Sequence, residues 1–230
     1  MFRFSAAMLA FWFTFAGGLQ AQQVVVVELF TSQGCSACPP ADKLLKQMAG
    51  RDDVIPLALH VDYWDYIGWK DEFAQPAFTA RQKAYAQASG RRMIYTPQMV
   101  INGQQDVVGN RPKDVEALIA QHAKQAMQVE LGVTRIGGQV RIKARALAAI
   151  PSSDVILVRV QEEAVMDITH GENAGHRLRY SNIVREWVPV ARWSGKGTFE
   201  STFDIEGQHK VVVLIQARNH GPVLAGARLR

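Results

Sequence analysis

Val24-Val25-Val26-Val27-Glu28-Leu29-Phe30-Thr31-Ser32-Gln33-Gly34-Cys35-Ser36-Ala37-Cys38-Pro39-Pro40 is the stretch on which the fold turns. From Val24 to Phe30 it is an apolar, β-branched run interrupted only by Glu28, the pattern of a buried strand. Ala41, Leu44, Leu45 and Met48 then follow helical spacing, and Gly50 is a stop signal, so a helix is expected over Ser36–Ala49. Cys35 and Cys38, the only two cysteines, therefore lie where a strand ends and a helix begins. A helix N-terminus offers unpaired N–H groups and a partial positive charge, which favour a thiolate at Cys35. The thiolate is the nucleophile of disulfide exchange, and Cys38, one turn further in, is placed to close or resolve a disulfide. Cys35 is expected to be the more exposed and more acidic of the two. Pro39 and Pro40 are tolerable in a first helical turn, whose N–H groups lack partners anyway.

Working outward, Val54–His60 reads as a second buried strand, followed by an aromatic stretch with Tyr63, Trp64, Tyr66 and Trp69. Lys70–Ala88 has helix-forming composition, is broken by Pro76 and is closed by Gly90. Gln98–Ile101 and Gln105–Val108 flank Asn102-Gly103, a strong hairpin signal. Pro112–Ala126 opens with proline at a first helical position and carries Val115, Leu118, Ile119 and His122 on one face. The expected order is β-α-β-α-β-β-α. Around Met127 the pattern changes. Val129–Ile136 and Gln139–Ala146 alternate across Gly137-Gly138, and Val155–Gln161, Thr198–Ile205, Val211–Ala217 and Val223–Leu229 also read as strands. No comparable helix signal follows, so residues 127–230 are expected to form an all-β, sandwich-like accessory domain after an α/β domain over residues 22–126.

The N-terminus reads as an export signal over residues 1–21. Arg3 is the only charge before Glu28, Phe4–Gly17 is almost wholly apolar, and cleavage after Ala21 is expected, with an uncleaved anchor as the other reading. Elsewhere no apolar stretch is long enough to span a membrane. The formal net charge is +5, or +4 without Arg3, and like charges are scattered rather than blocked. That distribution speaks for solubility and against a nucleic-acid footprint. The chain is expected to be periplasmic or secreted, a setting in which a cysteine pair is either stably bonded or cycles. Structural zinc commonly takes four ligands and no further cysteine exists, so no resident metal or cofactor is expected.

The C-x-x-C pair after the first strand, the element order, the Asn-Gly hairpin and Thr96-Pro97 at the start of the third strand together resemble the thioredoxin superfamily. That resemblance implies a cis peptide before Pro97, close to the cysteines, with the Thr96 backbone guiding a substrate. It also implies a buried acid that relays protons under the disulfide; Glu28, seven positions before Cys35, is the candidate, the other reading being a hydrogen-bonded strand-end carboxylate. Five runs, Glu28–Cys35, His60–Asp65, Gly68–Asp71, Tyr95–Gln98 and Gly171–Gly175, are similar to the secreted bacterial family called domain of unknown function 1223, which implies a thioredoxin-like domain with a β-rich extension and names no substrate.

Two functions follow. The first is an exported thiol–disulfide oxidoreductase using Cys35, Cys38, Thr96, Pro97 and Glu28, with protein thiols or disulfides and a redox protein as partners. The second is a non-catalytic binding module, or a copper-handling protein with His60 beside the cysteines. Asp62 and Asp65 read as polar residues at a strand end, the aromatic stretch mostly as core, and His170, Glu172 and His176 as turn residues around Gly171–Gly175 or a metal set. No nucleophile–base triad, phosphate loop or zinc-protease motif is present.

Overall fold

In the structure, a computed structural model that describes residues 23–229, the valine-rich run is a central strand, β1 (Val25–Thr31), buried at every position. The expected export signal lies outside the described residues. β1 pairs in parallel with β2 (Val54–His60) and antiparallel with β3 (Gln98–Ile101), which continues into β4 (Gln105–Val108). Asn102 and Gly103 both have positive φ, 48° and 64°, at the centre of a turn closed by Gln104 N on Ile101 O, in a three-residue connection between the paired Ile101 and Gln105.

Three helices flank these strands: α1 (Pro39–Met48), α2 (Pro76–Ala88) and α3 (Pro112–Ala123). Two begin later than their composition suggests, at prolines. Proline has a fixed φ and no N–H, and it holds the residue before it extended, as at Gln75 (φ −135°, ψ 133°) before α2. Side chains alternate across β1. Val25, Val27 and Leu29 pack against Ala41, Leu45 and Met48 of α1 and Val115 and Ile119 of α3. Val26 and Phe30 face the other way, with Phe78 and Tyr85 of α2.

The second half supplies β5 (Val129–Ile136), β6 (Gln139–Ala146), β7 (Ser153–Asp167), β8 (Arg177–Trp193), β9 (Thr198–Asp204), β10 (Lys210–Ala217) and β11 (Val223–Arg228). The expectation of a thioredoxin-like domain followed by an all-β sandwich-like domain is overturned. Four of these strands join the first half in one mixed eight-stranded sheet, ordered β11-β10-β7-β8-β2-β1-β3-β4, and only β5-β6-β9 form a separate three-stranded sheet. The join is β8, which pairs along β7 and meets β2 in parallel at Ala58 and Ile183. Sequence reading missed β8 because Arg177, Arg179, Arg185, Glu186 and Arg192 dilute its apolar pattern, Asn182 sits at φ 54° and Pro189 interrupts it.

The halves also share a core. Val26, Ile55, Leu57 and Leu59 pack with Ile156, Val158, Val160, Val184, Val212, Leu214 and Val223. Burial stabilises each such side chain by roughly 1.5–3 kcal/mol, so parting the halves would expose a large apolar surface. The sheet curls so that β11 lies over β1 and β2: a Cβ at Gly226 would stand 2.8 Å from Val26 Cγ2 and 3.1 Å from Ile55 Cδ1. The opposite face of β7, β10 and β11 packs on the three-stranded sheet through Val155, Val213 and Ile215 against Val140 and Ile142. Beyond this core, β7 and β8 run on as a two-stranded ribbon. Lys46 of α1 pairs with Glu163 on it, and its tip is the loop of residues 168–176.

Candidate functional site

Cys35 and Cys38 are joined in a disulfide, with Cα atoms 5.4 Å apart. Cys38 is the N-cap residue of α1, its carbonyl accepting hydrogen bonds from Ala41 N (2.8 Å) and Asp42 N (3.1 Å). Pro39 and Pro40 occupy the next two positions, so Cys35 precedes the first turn. The expected exposure of Cys35 is corrected: it is 1% exposed and Cys38 0%. The chain after β1 turns back tightly, Cys35 N bonding Ser32 O at 3.2 Å, and elements from elsewhere close over it.

The Thr96–Pro97 peptide is cis and leads directly into β3. Thr96 Oγ1 accepts from Trp64 Nε1 at 2.8 Å, and Pro97 O from Gly109 N at 2.9 Å. Gly109 leaves room for a close approach: a Cβ there would lie 3.2 Å from Ala41 Cβ and Leu29 Cδ1 and 3.3 Å from Pro97 Cβ. Pro97 thus lies beside α1, the cysteine-bearing helix. Glu28 is placed elsewhere, on the β1 face turned away from α1. Its carboxylate receives Arg81 Nε at 2.6 Å, Arg81 Nη2 at 2.9 Å and the Tyr85 hydroxyl at 2.7 Å. Arg81 continues to Gln216 Oε1 at 2.9 Å and lies 3.8 Å from the Trp187 ring. The buried Glu28–Arg81 pair therefore ties β1 to α2 and β10.

A different acid accompanies the cysteines. Asp42, one turn after Cys38, is buried on the same helix face as Leu45. Burial pushes its carboxyl up to about 7; nearby His60 and the Thr31 hydroxyl oppose this, and Asp71 adds to it. The Asp42 oxygens and Thr31 Oγ1 are buried facing one another beyond ordinary hydrogen-bond geometry, and Gln33 Nε2, His60 Nε2 and Tyr180 Oη are buried without a hydrogen-bond partner among the described residues. They come from the ends of β1 and β2, the turn after β1, α1 and β8. His60 is held from its other side, Nδ1 lying 2.7 Å from Asp71 Oδ2, and its ring rests edge-on against Tyr180 and Phe73. Asp71 Oδ2 also accepts Gln33 N at 2.8 Å, which links this group to the turn before Cys35. A cleft of about 260 Å³ between α1 and β8 is lined by Asp42, Tyr180, Lys43, Lys46, Arg177 and Pro39 among others. Asp42 can hold or release a proton near neutral pH one turn along α1 from Cys38. Sequence reading missed it because one acidic residue on a short helix looks like ordinary surface; its place in register with Cys38 and Leu45 was the available signal.

The cover over the cysteines comes from two segments. Asp65–Ile67 forms a 3-10 turn, and Ile67 Cδ1 lies 3.0 Å from where a Cβ on Gly34 would stand and 3.1 Å from one on Gly171. The β7–β8 loop provides the rest. Asn173 Nδ2 donates to Gln33 O (2.8 Å) and Cys35 O (3.1 Å), and Glu172 Oε2 accepts from Ser36 N at 3.1 Å. Sequence reading placed Glu172 between two histidines; here His170 meets Thr169, and His176 meets the Asn173 carbonyl. Among the described residues no group of three or more His, Cys, Asp or Glu side chains is arranged to hold a metal. Of the other polar positions, Asp62 accepts from Thr79 Oγ1, and Asp65 Oδ1 from Asp71 N. Among the aromatics, Tyr63 and Trp64 are partly buried against the core, Trp69 Nε1 donates to Gln33 Oε1 at 2.7 Å, and Tyr66 is 82% exposed. No helix among the described residues is long and apolar enough to cross a membrane.

No curated protein matches the sequence. Among solved structures, the chain is similar to protein AGR_C_4864 from Agrobacterium tumefaciens, with 30% identity and a TM-score of 0.78 over 90% of this chain and 95% of that one. HBP35 of Porphyromonas gingivalis is similar in fold alone, with 13% identity and a TM-score of 0.64 over 90% of this chain and 74% of that one. Residues 26–216, which include both the cysteine loop and the loop that covers it, match the family described as "Protein of unknown function (DUF1223)", and the chain belongs to that family.

Proposed function

We propose that the protein is an exported, periplasmic or secreted thiol–disulfide oxidoreductase that exchanges its Cys35–Cys38 bond with protein thiols. One observation carries this reading: the disulfide ends at Cys38, the cap of α1, and one turn further along the same helix stands a buried carboxyl, Asp42, that titrates near neutrality. A general acid or base works best with a pKa near the working pH. In the oxidised protein a substrate thiolate attacks Cys35 Sγ, the Cys35–Cys38 bond breaks, and Cys38 leaves and takes a proton from Asp42. A second substrate thiol, giving its proton to Asp42 directly or through solvent, attacks the substrate sulfur of the mixed disulfide. Cys35 then leaves as thiolate and takes a proton from solvent. The substrate loses two electrons and two protons, and the protein ends as a dithiol. Reversal reduces a substrate disulfide. The thioredoxin resemblance supports Thr96 and Pro97 as guides of the substrate backbone; Glu28, held by Arg81, enters as a structural anion rather than the proton relay.

A second reading, a non-catalytic binding module stapled by its disulfide, draws on the burial of both cysteines. One experiment separates the two. Oxidised protein is mixed with a reduced dithiol peptide, and the rate of peptide oxidation is compared with that given by an equal concentration of an isolated Cys-Ser-Ala-Cys disulfide. The oxidoreductase reading expects faster exchange, loss of turnover in Cys35→Ser and Cys38→Ser, and, when Cys38→Ser is mixed with the disulfide form of the peptide instead, a mixed disulfide trapped at Cys35 with release of one peptide thiol. Exchange no faster than the free peptide would leave the binding module standing.

A further inference from the structure

The ribbon of β7 and β8 reaches past the shared core and sets its tip on the cysteine loop. The tip, Gly171–Gly175, is internally braced, with Ala174 N bonding Gly171 O, His176 N bonding Asn173 O and Gly175 N bonding Ile168 O. Its hold on the cysteine loop is small: two hydrogen bonds from one side chain, Asn173, one carboxylate on one N–H, and the wedge of Ile67 between Gly34 and Gly171. Yet these contacts stand where Cys35 is 1% exposed, and an attacking thiolate must reach the sulfur in line with the bond it breaks.

We propose that the Gly171–Gly175 loop is a displaceable cover of the disulfide, in which Asn173 fastens the cysteine loop shut and Glu172 sets the acidity of Cys35. The first role is steric and stands whether or not the protein is an oxidoreductase; the second rests on the exchange reading. Glu172 matters because of what it occupies. The N–H of Ser36 follows Cys35 directly and is a donor a Cys35 thiolate would use, since a hydrogen bond to the charged form favours it. A carboxylate already holds it and adds a negative charge beside the sulfur, and both effects raise the thiol's pKa. Hydrogen bonding by Ser36 in turn holds Glu172 below the usual carboxylate range, so the charge is present at neutral pH. The other acids near the cysteines, Asp42 on α1 and Asp71 under Gln33, are untouched by a change at Glu172. Asn173 and Glu172 are positioning residues: they act through the cysteine loop.

The test separates accessibility from acidity. Pseudo-first-order reduction of the disulfide by dithiothreitol should be at least about tenfold faster in Asn173→Ala, and faster in Ile67→Ala, than in wild type. Unchanged rates in both folded variants would overturn the cover. If Asn173→Ala fails to fold, native-state hydrogen exchange on the unaltered protein decides instead. The Ser36 and Cys35 amides should exchange through a local opening of lower free energy than global unfolding, and exchange only through global unfolding would overturn the cover. For acidity, the reduced protein is alkylated across pH. Glu172→Gln should lower the Cys35 midpoint by roughly half a pH unit, the effect of one screened charge nearby, and so speed alkylation below that midpoint by about threefold. A midpoint unchanged or raised would overturn the role of Glu172. A faster Asn173→Ala in a protein that exchanges no peptide thiols would sink the oxidoreductase reading and leave the cover intact.

Discussion

Replacing Asp42 by Asn tests the chemistry at the disulfide through stability as well as activity. Burial lifts the Asp42 carboxyl from 3.8 to about 7, against the opposing effects of His60 and the Thr31 hydroxyl. The folded protein therefore keeps a proton that the unfolded chain releases near pH 4, and stability falls as pH rises from about 4 through 7. A shift of that size corresponds to about 4 kcal/mol, of which about 1 is already lost at pH 4.5 and nearly all by pH 8. Asparagine fills nearly the same volume and carries no charge. The stability of Asp42→Asn relative to wild type should therefore improve by about 3 kcal/mol between pH 4.5 and pH 8. Tyr180, His60, Asp71 and the cationic rim of Lys43, Lys46 and Arg177 surround the group in both proteins, and His60, Asp71 and Tyr180 interact with its charge, so the difference reads Asp42 together with the groups coupled to it. The assay is urea unfolding of the oxidised proteins, followed by tryptophan fluorescence at the two pH values. A difference that moves by less than about 1 kcal/mol would refute the perturbed carboxyl and, with it, Asp42 as the proton group.

Three further outcomes are expected. Arg81→Met should cost about 3–5 kcal/mol by leaving Glu28 buried and uncompensated, and Glu28→Gln in the same chain should restore much of it; urea midpoints of the single and double variants measure both. Asn102 Oδ1 accepts the buried Val26 N–H at 2.7 Å, so Asn102→Gly, which tolerates the positive φ, should still cost about 1–3 kcal/mol, and a variant as stable as wild type would remove that bond from the account. Gly226→Ala would drive a methyl group into Val26 and Ile55 and should cost about 1–3 kcal/mol; an unchanged melting temperature would mean that β11 does not lie on β1 and β2.

What the sequence determined by itself is local. The valine run is β1, Val54–His60 is β2, Asn102-Gly103 is a hairpin turn, and Pro112 stands at a helix start, because each is set by the period of apolar residues or by the backbone limits of proline and glycine within a few positions. The placement of the cysteine pair between β1 and α1 was legible for the same reason, although the helix begins only after Cys38 rather than at Ser36. Tertiary structure decided the rest. β8 exists as a strand because β7 and β2 are there to pair with it, not because its charged, proline-interrupted sequence demands it. Glu28 is an ion-pair anion because α2 brings Arg81 to it from 53 positions away. Asp42 is a buried acid because β2 and β8 close over a helix face that would otherwise be wet, and burial rather than residue type lifts its pKa. Asn173 reaches Cys35 across 138 positions because a long ribbon carries it there. Periodicity records which face of an element is dry; which distant residue shares that dryness is a property of the packing, and at this disulfide the packing sets both charge and access.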